Sequence, residues 1–242
     1  MAYFPVFTQI EGKRCLIIGG GKVAARKMHT LLQYDAEVIV AAEKVCEEIK
    51  EFLPESNVFE YIRENESEND LKYDFDRKKD IQTLVIMNSD SSIRTHRDIS
   101  LENEIKKAFL VIAATSSREE NHRAAELCHQ YNILVNVADS EEESTFIFPS
   151  VVRKGNISIG INSGTGSPAV SKQIRKQIEK AVPDYYADIA VFMGELRQYV
   201  KANFREEVQR RYILKTAAAR AFSEERVLTE KEIEEIIRQG QK

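Results

Sequence analysis

The apolar run Cys15-Leu16-Ile17-Ile18 passes directly into Gly19-Gly20-Gly21, and this junction constrains the fold more than anything else in the chain. Four consecutive apolar residues ending at glycine read as a strand buried on both faces, as in parallel sheets. After the glycines, apolar residues recur at Val23, Ala24, Met28, Leu31 and Leu32, a helical spacing. The run Val38-Ile39-Val40 then supplies a second strand, so this stretch spells a β-α-β unit. Gly19-Gly20-Gly21-Lys22-Val23-Ala24 has the form G-x-G-x-x-A at the turn where strand meets helix. The first glycine permits the tight turn, Gly21 lets the backbone approach a pyrophosphate, and Ala24 lets helix and sheet pack closely. The helix N-terminus presents free N–H groups and a favourable dipole to the phosphates. This combination predicts a dinucleotide site, with NAD as the expected cofactor. Glu43, just past the second strand, is placed to accept hydrogen bonds from the ribose hydroxyls, while Lys44 beside it keeps NADP open.

The alternation of strand and helix continues. Val45, Ile49 and Phe52 predict a short amphipathic helix, residues 58–62 a third strand, and Phe109-Leu110-Val111-Ile112-Ala113-Ala114 a fourth. Ile133-Leu134-Val135-Asn136-Val137 predicts a fifth strand, with a helix over 118–131 between the last two. The expected fold is α/β, a Rossmann-like doubly wound parallel sheet. Residues 63–107 separate the third and fourth strands by far more than the roughly 10–15 residues a crossover needs. They read as an insertion peripheral to the sheet, with an apolar run at Leu84-Val85-Ile86-Met87 and a helix near 101–107.

After Asp139 the pattern changes. Phe146-Ile147-Phe148-Pro149 and Ile157-Ser158-Ile159-Gly160-Ile161 predict strands, and Ser167-Pro168 opens a helix with Ser as N-cap. From Asp184 onward the chain is mostly helical, with one apolar stripe at Ile189, Phe192, Met193, Leu196 and Val200. Thr229-Glu230-Lys231-Glu232 resembles a capping box. The expected organisation is a nucleotide-binding domain over 1–140, a small α+β segment over 141–183 and a helical domain over 184–242.

A net charge of −4 with no long basic run argues against duplex nucleic acid as a partner. No apolar stretch approaches the roughly 18 residues of a membrane span. The opening Met1-Ala2-Tyr3-Phe4-Pro5 lacks a signal-peptide layout. Cys15, Cys46 and Cys128 are odd in number and widely spaced, which fits a reducing compartment rather than a structural zinc site. A cytoplasmic protein is expected. His29, His96, His122 and His129 form no ligand pattern, so no metal site is expected.

Candidates for chemistry are few. Asp139 follows the fifth strand, and ligands of open α/β sheets bind outside the carboxyl ends of strands. Its carboxylate either reaches a bound substrate or is a solvated loop residue. Gly164-Thr165-Gly166-Ser167-Pro168, preceded by Asn162-Ser163, is either an anion-holding loop or a plain turn. Lys172, Arg175 and Lys176 on the helix after it suit carboxylates and suit a solvated face equally.

Taken together, these stretches resemble the precorrin-2 dehydrogenases of siroheme biosynthesis, including the dehydrogenase/ferrochelatase module of siroheme synthase. The matching residues are Phe4-Pro5-Val6-Phe7, Cys15 to Lys27, Ile112-Ala113-Ala114-Thr115, Asn136-Val137-Ala138-Asp139, Phe146-Ile147-Phe148-Pro149-Ser150 and Ser163-Gly164-Thr165-Gly166-Ser167-Pro168. They run in the family's order over about residues 1–180, leaving out the insertion. The resemblance implies a homodimer joined through the 141–183 segment. It also implies NAD-dependent oxidation of precorrin-2, a polycarboxylate tetrapyrrole, to sirohydrochlorin, with Fe²⁺ as a further substrate in some members. It places the family's catalytic Asp on Asp139, a serine phosphorylated in some relatives on Ser163, and Thr115 and Asn136 beside the cofactor. Ser163, Lys172 and Arg175 then become candidates for holding the substrate. The long insertion and the lack of a fused methyltransferase are departures; the second implies that another protein supplies precorrin-2.

Two rival readings stand beside this one. An NAD-sensing regulatory domain explains the first 140 residues without catalysis, but gives no reason for the second small-residue loop. A dehydrogenase of another small substrate is the other.

Overall fold

The computed structural model describes residues 3–42, 44–52, 84–87, 93–96, 101–164 and 168–240. It divides into two compact units, Met1–Phe148 and Pro149–Lys242.

The first unit is built on a six-stranded sheet. In chain order its elements are β1 (Arg14–Ile18), α1 (Lys22–Leu32), β2 (Glu37–Ala41), α2 (Glu47–Lys50), β3 (Leu84–Met87), β4 (Ile93–His96), α3 (Leu101–Lys107), β5 (Leu110–Ala113), α4 (Arg118–Gln130) and β6 (Leu134–Val137). The strand order is β4-β3-β2-β1-β5-β6. Strands β2, β1, β5 and β6 are mutually parallel, in the registers Leu16↔Ile39, Leu16↔Val111 and Val111↔Val135.

Strand β1 is apolar from Cys15 to Ile18 because both its faces are covered. Side chains alternate across a strand, so Cys15 and Ile17 enter one cluster with Ala24, Met28 and Leu31 of α1 and Ile49 of α2. Leu16 and Ile18 enter the other, with Ile105 of α3 and Ala124, Ala125 and Cys128 of α4. Leu16 and Ile17 are wholly buried, each contributing about 1.5–3 kcal/mol through the area removed from water.

The sheet corrects the expectation for residues 63–107. Strand β3 pairs antiparallel with β2, and β4 antiparallel with β3, so the parallel sheet carries a hairpin along one edge. An antiparallel pair closes over a short connection, whereas another parallel strand needs a crossover. Helix α3 is not peripheral either. It is the crossover that delivers β5 parallel to β1, and it buries Ile105 and Glu104 against the sheet. Glu104 is 2% exposed, bonded to Arg14 at 2.7 Å and to Lys107 at 2.9 Å. The third strand expected at 58–62 lies outside the described residues.

The second unit opens with β7 (Ser150–Lys154) and β8 (Ile157–Ile161), an antiparallel hairpin in the register Val152↔Ile159. Helices α5 (Pro168–Ala181), α6 (Tyr185–Asn203), α7 (Glu207–Ser223) and α8 (Glu230–Gly240) follow. Ile189, Leu196 and Val200 of α6, Ile213 and Ala217 of α7, and Ile236 of α8 form the core of the last three. The expected capping box is half formed. The Thr229 N–H donates to Glu232 at 2.7 Å, but the hydroxyl also donates to that carboxylate, at 2.8 Å, instead of accepting from the helix. Arg226 beside it holds the Glu232 carboxyl below its ordinary range.

Residues 146–149 are not a strand. Thr145 N–H donates to Val135 O, and Asn136 donates to Phe146 O. These bonds tie the segment to β6 and let Phe146 and Phe148 pack against the α1 side of the core. Pro149 has no N–H to give a ladder.

Candidate active site

The glycine turn forms where β1 ends. Gly19 has φ +121°, and a Cβ there would stand 2.3 Å from Ala114 O. A Cβ on Gly20 would stand 1.9 Å from Lys44 O. Both positions are closed to side chains by neighbouring backbone, which Gly19 N–H to Ala41 O (2.8 Å) and Cys46 N–H to Gly20 O (2.7 Å) lock in place. Gly21 is different. Its φ of −86° and ψ of −178° suit any residue, and a Cβ there meets nothing within 4 Å.

Gly21 is also the N-cap of α1, with no side-chain cap and no acid in the first turn. The helix therefore offers its N–H groups and positive dipole end to open space, the arrangement that holds a phosphate. Ala24 is fully buried against the sheet. Val23 is partly exposed, and Lys22 lies 3.5 Å from Glu48. Lys44 contributes the backbone that closes on Gly20, and Glu43 lies outside the described residues.

A second group of polar side chains stands at the carboxyl ends of β5 and β6. Thr115 follows β5, and Asp139 follows β6 with its carboxylate 42% exposed. Between them Asn121, on the first turn of α4 and fully buried, donates to Asp139 Oδ1 at 3.0 Å and to Thr115 O at 3.2 Å. Arg118 places Nε 4.0 Å from Asp139 Oδ2 and grips Glu143 with two bonds of 2.6 Å. His122 Nδ1 adds a 2.7 Å contact to Glu143. Arg118 first, then His122, hold the Glu143 carboxyl down to about 2.

Asn136 was expected at the cofactor, yet its amide is engaged inside the protein. It is 6% exposed, donates to Phe146 O at 3.1 Å, and accepts from Lys27. Lys27 was not among the expected site residues. It sits on the buried face of α1, 7% exposed, with Nζ 5.4 Å from the Phe148 ring centroid. Burial, and secondarily Arg26, pushes its ammonium down to about 8. The signal was available: Lys27 stands three residues after Ala24 on the stripe that continues through Met28 and Leu31.

The remaining candidates lie in the second unit. Ser163 Oγ is 2.5 Å from Ser171 Oγ, and Arg175 pairs with Glu179 at 3.3 Å. Lys172 is exposed, and Gly164, at φ +71°, donates to Asn162 Oδ1. Residues 165–167 of that loop, including the expected N-cap Ser167, lie outside the described residues. Among the described residues no three His, Cys, Asp or Glu are grouped to hold a metal ion, and no helix is long and apolar enough to cross a membrane.

A parallel sheet with a glycine turn after its first strand, and an open cradle over the next helix N-terminus, defines a Rossmann-type nucleotide-binding fold. The chain belongs to an NAD(P)-binding family: the family model described as "Putative NAD(P)-binding" matches residues 6–150. It is 32% identical over 211 residues to a siroheme synthase of Pseudoalteromonas translucida (strain TAC 125), covering 87% of this chain and 37% of that one. It is 31% identical over 211 residues to the siroheme synthase of Nitrosospira multiformis, covering 87% and 38%. The chain thus spans well under half the length of these curated relatives. Among solved structures it shares the fold of SirC, a precorrin-2 dehydrogenase, with a TM-score of 0.59, 19% identity and 99% of each chain covered.

Proposed function

We propose that this protein oxidises precorrin-2 to sirohydrochlorin with NAD as acceptor. The observation that carries the proposal is the carboxylate of Asp139. It is exposed at the end of β6 and held by Asn121, at the same edge of the sheet as the cradle over Gly21. The names of the similar proteins, siroheme synthase and precorrin-2 dehydrogenase, point to the substrate.

The residues divide the work. Gly19 and Gly20 shape the turn, and the α1 N-terminus at Gly21, Lys22 and Val23 receives the pyrophosphate. The bound nicotinamide supplies the hydride acceptor. Asp139 takes the proton that leaves the macrocycle when the C–H bond breaks, so two hydrogens depart as hydride and proton. Ser163, Lys172 and Arg175 are the candidates that the resemblance offers for holding the substrate's carboxylates, a role suited to cationic and hydroxyl donors.

The same reading makes the protein a homodimer. A two-stranded sheet buries too little to stand alone, and among the residues of α5 none is buried.

The test is NADH formation by purified protein given precorrin-2. Turnover that requires precorrin-2 supports the reading, and a parallel run with NADP decides the nucleotide. Cofactor binding with no precorrin-2-dependent NADH would leave a sensor or a dehydrogenase of another substrate.

A further inference from the structure

We propose that Asn121 is a positioning residue that aims the carboxylate of Asp139, committing Oδ1 to the protein and presenting Oδ2 to the substrate. The inference rests on the reading of Asp139 as proton acceptor. Three observations carry it.

The first is the orientation of the amide. Thr115 N–H lies 3.0 Å from Asn121 Oδ1. A backbone N–H can only donate, so Oδ1 must be the acceptor there and the amide cannot be flipped. The NH₂ end consequently faces Thr115 O at 3.2 Å and Asp139 Oδ1 at 3.0 Å, using both its hydrogens.

The second is burial. Asn121 is 0% exposed, whereas the Asp139 side chain it serves is 42% exposed. A buried amide with every polar atom engaged has no rotational freedom to spare, so it fixes a carboxylate that solvent would otherwise leave free to turn. Asp139 Oδ2 is left facing the Arg118 Nε at 4.0 Å, a distance too long for a hydrogen bond.

The third is connectivity. Asn121 joins Thr115, two residues past β5, to Asp139, two residues past β6, through α4, whose N-cap Ser117 accepts from Glu120 N–H. Thr115 and Asp139 are therefore set relative to each other by one side chain.

Asn121→Asp tests this, because it keeps the shape and the acceptor for Thr115 N–H but replaces the donor to Asp139 with an oxygen. NAD affinity and KM for precorrin-2 should stay within about threefold, while kcat falls at least about tenfold at neutral pH, part of the roughly 10²–10⁴ carried by one acid–base group. The rate relative to wild type should recover as pH is lowered, because the introduced carboxyl, once protonated, donates again. Loss of shape alone gives no such recovery.

Should that variant fail to fold, Asn121→Ala removes the donor to Asp139 Oδ1 without adding a charge; it should lower kcat several-fold with KM unchanged. Asp139→Asn is the control. If it turns over at the wild-type rate, or if the wild type does not oxidise precorrin-2, the reading of Asp139 fails and this inference with it. If Asp139→Asn is impaired while Asn121→Asp, or Asn121→Ala in its place, keeps the wild-type kcat, the inference about Asn121 alone is overturned.

Discussion

Replacing Lys27 with methionine separates the cost of burying an ammonium from everything else that holds the first unit together. Lys27 is 7% exposed, and burial pushes its ammonium from 10.5 down to about 8. The folded chain therefore holds this proton less tightly than the unfolded chain does. Below about pH 8 both states carry it, and at ~1.4 kcal/mol per tenfold the folded state is weakened by about 3 kcal/mol. Between 8 and 10.5 the unfolded state binds more protons, so stability rises with pH through that window. From about pH 7.5 to about pH 10 the wild type should gain about 2 kcal/mol that Lys27→Met does not.

At the lower pH the two proteins should be nearly equal. Methionine escapes the charge penalty but leaves Asn136 Oδ1 without its donor, which costs roughly 1–3 kcal/mol. At the higher pH the variant should be the weaker by about 2 kcal/mol. The assay is urea unfolding with pulsed thiol labelling read by intact mass. Cys15 and Cys128 are fully buried in this unit, and burial lifts both thiols to about 12. They become reactive when the unit opens. Parallel stability curves for the two proteins would show that the Lys27 ammonium is solvated in the folded state, and the reasoning would fall.

Gly21→Asp should fold normally, because its Cβ meets nothing within 4 Å, yet calorimetry should find NAD binding abolished. Gly20→Ala should do the reverse and cost stability outright, by more than about 3 kcal/mol, since its Cβ would lie 1.9 Å from Lys44 O; a soluble variant with wild-type melting refutes that geometry. Asp139→Ala should bind NAD as the wild type does and lose roughly 10²–10⁴-fold in precorrin-2 oxidation, measured by NADH formation. Glu104→Ala should cost roughly 1–3 kcal/mol in urea denaturation, because it removes the charged partner of the half-buried Arg14; a cost near zero would mean that this pair does not tie α3 to β1.

What the sequence by itself determined is local. The run Cys15 to Ile18, the glycines after it and the helical spacing from Val23 to Leu32 specify a β-α-β unit and its phosphate cradle, because each rests on chain geometry within a few residues. The helix stripe at Ile189, Leu196 and Val200 was legible for the same reason. Tertiary structure decided the rest. Nothing local says that Leu84 to Met87 lies antiparallel beside β2, since pairing depends on a strand far away in the chain. The helical pattern near 101–107 was visible, but only the sheet shows that Ile105 and Glu104 are buried against β1 rather than solvated. Gly20, an arbitrary position in the motif, is forced to be glycine by the carbonyl of Lys44, which is near in space and remote along the chain. The roles of Asn121 and Lys27 come from tertiary structure too, since the stripe puts Lys27 on the buried face of α1 without naming its partner. Their partners, Asp139 and Asn136, are brought to them by the parallel order of β1, β5 and β6, and hydrogen bonds leave no period in a sequence.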